Sequence, residues 1–106
     1  MELPRHMRGL YWVLGDDGEP RKAATADEAY AAWDDPRRGL AFDDVGGVQV
    51  STVFLVIDHN IGGDRPVLFE TMVFRGGRGE LCERYCTRAE ALAGHAEMVR
   101  RVRDGL

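Results

Sequence analysis

Cysteine occurs only at Cys82 and Cys86, lysine only at Lys22, and aromatic residues make up 8% of the chain. Two cysteines do not build a disulfide framework. On one strand they share a face about 13 Å apart, beyond disulfide reach, so free thiols in a reducing compartment are expected. No apolar run approaches the ~20 residues of a transmembrane helix, and Met1–Arg8 has no signal-peptide core. A membrane partner is therefore not expected, and a cytoplasmic location is. Also missing are a phosphate-binding Gly-rich loop with its Lys, a nucleophile elbow and zinc-finger cysteine pairs.

What is present suits one small domain spanning 1–106: the chain is 44% hydrophobic and 30% charged, enough to bury a core unaided. Acidic residues outnumber basic ones, 18 to 14, which makes nucleic acid an unlikely partner. The acid is concentrated early: residues 1–60 carry 11 acidic and 6 basic side chains, residues 61–106 carry 7 and 8. Three pairs, Asp16-Asp17, Asp34-Asp35 and Asp43-Asp44, lie within two residues of Gly or Pro. Asp there favours turns by bonding nearby backbone, so turn chemistry is preferred to an acidic docking surface.

The segments alternate cleanly. Gly9–Leu14 is aromatic and β-branched and predicts a strand, Asp16-Asp17-Gly18 a turn, and Glu19–Ala24 a weaker return strand. Thr25-Ala26-Asp27-Glu28 predicts a capping box opening a helix that ends before Pro36, with Ala29, Tyr30 and Trp33 on its apolar face. Gly39–Asp43 is a short strand. Val48–Ile57 predicts one long central strand with Leu55 in the core, Val67–Phe74 its partner, and Glu80–Cys86 a further strand. Thr87-Arg88-Ala89-Glu90 opens the last helix, whose apolar arc is Ala91, Leu92, His95, Met98, Val99 and Val102. The fold class expected is α+β, an antiparallel β-sheet of about five to six strands with two helices packed on one face.

Chemistry-bearing residues concentrate at Asp58, His59, Glu70 and His95. Asp58 and His59 end the central strand, Glu70 interrupts an apolar strand, and His95 sits mid-arc on the last helix. An unpaired carboxylate among apolar neighbours is costly, so His95 and Glu70 are expected to contact each other. With Asp58 or His59 added, the group becomes a candidate polar or ligand site, capable of holding a divalent metal or of acid/base work. Tyr11, Trp12 and Trp33 are expected in the core, one of the first two facing outward.

Ser51-Thr52-Val53-Phe54-Leu55-x-x-Asp58-His59, Leu68–Phe74 and Arg84-Tyr85-x-Thr87-x-x-Glu90-Ala91-x-Ala93-Gly94-His95 resemble a group of small phage and prophage proteins of unassigned function. The likeness covers residues 50–99. That group carries Gly where this chain has Val56 and Ser where it has Cys86. The resemblance implies an accessory protein acting inside a host cell and transfers no activity. With no complete catalytic motif, the favoured function is non-enzymatic binding of a host or phage protein, without a cofactor. The alternative is a small metal-dependent hydrolase or nucleotide-binding protein using Asp58, His59, Glu70 and His95. A structural virion component would require self-assembly, which nothing in the sequence demands.

Overall fold

The computed structural model describes residues 2–106; Met1 lies outside them. Among the described residues the fold is α+β, with six antiparallel strands and two α-helices. The strands are β1 (Trp12–Leu14), β2 (Pro20–Lys22), β3 (Gly39–Val45), β4 (Val48–Phe54), β5 (Phe69–Arg75) and β6 (Arg78–Tyr85). The helices are α1 (Ala26–Trp33) and α2 (Arg88–Arg103). The strands divide into a β1–β2 hairpin and a four-stranded meander ordered β3-β4-β5-β6. Helix α1 packs on β1, whereas α2 crosses all four strands of the meander. No helix among the described residues is long and apolar enough to cross a membrane.

Turn chemistry shapes the meander. Gly46-Gly47 joins β3 to β4 and Gly76-Gly77 joins β5 to β6, all four with positive φ. Paired positive φ angles give the two-residue hairpin turn whose twist matches that of the strands. The Asp pairs act as expected: Asp17 accepts from Glu19 N, Asp35 from Arg37 N, and Asp44 from Gly47 N. The Thr87–Glu90 capping box is complete. At α1, Thr25 accepts from Glu28 N, but the Glu28 carboxylate reaches Ala24 N, so the box closes one residue further out.

The central strand is shorter than expected. Val56 has φ 70°, a conformation that costs a β-branched residue energy. That bend carries the chain from the meander to the hairpin, where Trp12 N donates to Val56 O and Asp58 N to Leu10 O. Leu55 is only half-buried, while Phe54 and Val56 on either side are fully enclosed. One core gathers Phe54, Val56, Leu68 and Phe69 with Val13, Leu14, Ala23, Ala29 and Ala91. The other joins Val48, Val50 and Val73 to Met98, Val99 and Val102.

Two local predictions follow from this packing. A Cβ at Gly94 would lie 2.2 Å from Tyr85 Oη, so α2 approaches β6 only because that side chain is absent. Gly94→Ala, which favours an ordinary helix interior, should here cost about 1–3 kcal/mol by overpacking; a raised melting temperature would refute it. The second concerns acid. Arg37 holds the Asp35 carboxyl below its ordinary range, and Arg21 does the same for Glu28. Arg37 also donates to Leu14 O and Gly15 O, tying the end of α1 to β1. A carboxyl depressed on folding adds stability above its unfolded pKa and loses it as pH falls through the folded one. Melting temperature should therefore fall below about pH 4, and less steeply in Asp35→Asn. Identical acid slopes for the two proteins would exclude this linkage.

Candidate functional site

The four polar residues singled out from the sequence do not come together. In β5, Phe69, Thr71 and Val73 face α2 and are buried, so Glu70, between Phe69 and Thr71, points to the opposite face of the sheet. There its carboxylate accepts from Arg84 Nε at 3.0 Å and from the Cys82 thiol at 3.2 Å. The expected contact between His95 and Glu70 is therefore absent, because the sheet separates them. In the register of the two strands Val53 pairs with Glu70 and Phe54 with Phe69. Asp58 closes its own loop, its Oδ1 accepting from Asn60 N at 2.7 Å and Val67 N at 2.9 Å. His59 joins the loop closure through its backbone, donating from N to Val67 O at 3.0 Å.

His95 does face the sheet, and it finds other partners. Its Nε2 donates to Asp43 Oδ2 at 2.7 Å, and its Nδ1 lies 2.7 Å from Thr52 Oγ1. Thr52 Oγ1 in turn contacts Thr71 Oγ1 on the neighbouring strand. With a neutral ring the hydrogen bonds run one way: Thr71 to Thr52, Thr52 to Nδ1, and Nε2–H to the carboxylate. Among the described residues no buried side-chain polar atom lacks a partner. Carboxylate, imidazole and hydroxyl follow the order of a nucleophilic triad, but Thr52 and Thr71 are fully enclosed. No substrate reaches either hydroxyl, so the chain of bonds fixes α2 on the sheet.

The cysteines are free. Partial burial, then the Glu70 carboxylate, raise the Cys82 thiol above its ordinary range, which keeps it protonated and a poor nucleophile. Among the described residues no group of three or more His, Cys, Asp or Glu side chains is placed to hold a metal ion.

An exposed site of distinct character lies outside the meander, on α1 and the N-terminal segment. Leu3, Pro4 and Met7 from the N-terminal segment, Tyr11, and Ala26, Ala29, Tyr30 and Trp33 of α1 line a cleft of about 220 Å³. Of the expected apolar face of Ala29, Tyr30 and Trp33, Ala29 is buried, with Ala32 beside it, whereas Tyr30 is 75% and Trp33 39% exposed. Alanines let the helix settle close to β1 and leave the aromatic rings at its margin. Arg38 lies over the Trp33 ring, 4.9 Å from its centroid, and donates to Trp33 O, which holds that wall in place. Sequence periodicity could not find this site, because the aromatic spacing reads equally as core.

No family model, curated protein or solved structure matches the chain.

Proposed function

We propose that this chain is a non-enzymatic, phage-type accessory protein that binds a host or phage protein inside the cell, using the aromatic cleft on α1. The exposure of Tyr30 and Trp33 around that apolar cleft carries the reading. Large aromatic side chains bordering a concave apolar surface are the residues that anchor protein interfaces. Size favours a protein partner: drug-sized molecules and cofactors occupy about 300–1,000 Å³, and this cleft, at about 220 Å³, is smaller. It fits one or two side chains of a protein partner. The phage assignment draws on the resemblance over residues 50–99, whose Gly falls where Val56 takes a φ of 70°, a backbone conformation Gly adopts without strain. The hydrolase alternative loses its geometry with Glu70 and His95 on opposite faces.

The test is capture of partners from a host lysate with wild-type protein and Tyr30→Ala, followed by affinity measurement on the purified pair. Tyr30 is largely exposed, so its truncation should leave the melting temperature unchanged while weakening the partner at least about tenfold. Equal affinity for the two proteins would move the binding surface elsewhere. Stoichiometric zinc, manganese or nucleotide bound by the purified protein and lost in His95→Ala would restore the hydrolase reading.

A further inference from the structure

The face of the meander opposite α2 is uncovered, and its composition and charges fit a second copy of this chain. The register places three rows across it: Val53, Glu70 and Arg84; Phe42, Ser51, Met72 and Cys82; and Asp44, Gln49, Phe74 and Gly79. Phe42 is 63% exposed. Gly79 leaves room on this face for Met72 and Phe74, since a Cβ there would lie 2.8 Å from Met72 Cε. The middle of the face is uncharged and its charges stand at the margins, the arrangement of an interface core with a polar rim.

We infer that this open face is an isologous homodimer interface, in which two copies stack their four-stranded sheets face to face about a two-fold axis. Area is the first argument. Strands ~4.8 Å apart with ~3.4 Å per residue make this face on the order of 450 Å² in projection, so two stacked faces cover about 900 Å². Side-chain relief above that plane brings the buried surface near the ~1,200 Å² at which specific interfaces begin. Charge is the second argument. Asp44 on edge strand β3 and Arg84 on the opposite edge strand β6 occupy diagonal corners of the face. A two-fold axis along the other diagonal lays each Asp44 over Arg84 of the partner subunit, twice per dimer, with the sheets crossing near 90°. Both groups have capacity for it: Asp44 uses one oxygen on Gly47 N, and Arg84 uses Nε on Glu70. This inference is independent of the α1 cleft, which lies outside the meander.

The experiment is sedimentation equilibrium between about 1 and 100 μM, the affinity range expected of a small interface. The wild-type protein should move from 11.8 kDa to twice that mass. Phe42→Glu, at an exposed position, should raise the dissociation constant at least about tenfold with an unchanged melting temperature. Charge exchange is read in a Glu70→Gln background, where Arg84 has no intramolecular carboxylate. There Asp44→Arg should dissociate the dimer, and adding Arg84→Asp should restore it. A monomer throughout the range, a dimer indifferent to Phe42→Glu, or an exchange that fails to restore association would each overturn the inference. So would a monomer whose open face binds a different protein.

Discussion

Phe54→Ala should destabilise the protein by about 3–5 kcal/mol, the largest effect expected of any single truncation in it. Phe54 is fully buried at the end of β4, with its ring 5.5 Å from that of Phe69. It belongs to the core that joins the meander to the β1–β2 hairpin and α1, and its carbonyl accepts from Arg38 Nε at 3.1 Å. Removing the ring therefore opens a cavity between the two sheets, where neither can collapse without shifting the other. Small domains have about 5–15 kcal/mol of stability in total, so the loss takes a large share. Denaturant unfolding measures it, and an unchanged slope with a lowered midpoint would show that both sheets still unfold together. A loss below about 1.5 kcal/mol, the scale of a tolerated core swap, would mean that the joint is not packed as described. Leu55→Asp, one residue on, should be milder, because half-buried Leu55 can keep a charge near water.

His95→Ala should cost about 1–3 kcal/mol by leaving the buried Thr52 hydroxyl without its acceptor, with an added cavity cost beneath α2. The partners make the prediction specific. Thr52→Val removes the next hydroxyl in the chain of bonds, so the two losses should overlap and the double mutant should be less unstable than their sum by at least about 0.5 kcal/mol. His95→Ala combined with Glu70→Leu should instead be additive, because those side chains occupy opposite faces of the sheet. Thermal or denaturant unfolding of the five variants, Thr52→Val, His95→Ala, Glu70→Leu and the two doubles, decides between the arrangements. Strong coupling of His95 to Glu70 and none to Thr52 would place the wrong face of β5 against the helix.

The elements were legible in the sequence because they rest on short-range physics. Glycine pairs set the two hairpin turns, Thr–x–x–Glu set both helix starts, and dense apolar runs marked β4 and β5. The turn roles of Asp17, Asp35 and Asp44 were legible for the same reason: an Asp carboxylate bonds backbone two or three residues away. The break at Val56 was not, since a β-branched residue in a run of apolar ones reads as strand, and its positive φ is imposed by the chain's passage to the hairpin.

What only the tertiary structure decided was which face of the sheet α2 covers. In β5 one parity holds Phe69, Thr71 and Val73, the other Glu70, Met72 and Phe74. Each has two apolar residues and one polar residue, so period two locates two faces without ranking them. In β4, Val48, Val50, Thr52 and Phe54 do outweigh Gln49, Ser51 and Val53, but that does not tell which parity of β5 shares their face. The helix settles the matter by bringing His95 over Thr52 and Asp43, a hydrogen-bonding solution spread over residues 43, 52, 71 and 95. Local propensity cannot see partners that distant along the chain. His95 therefore showed in the sequence as a residue needing a partner, and the packing of α2 across the meander chose which one.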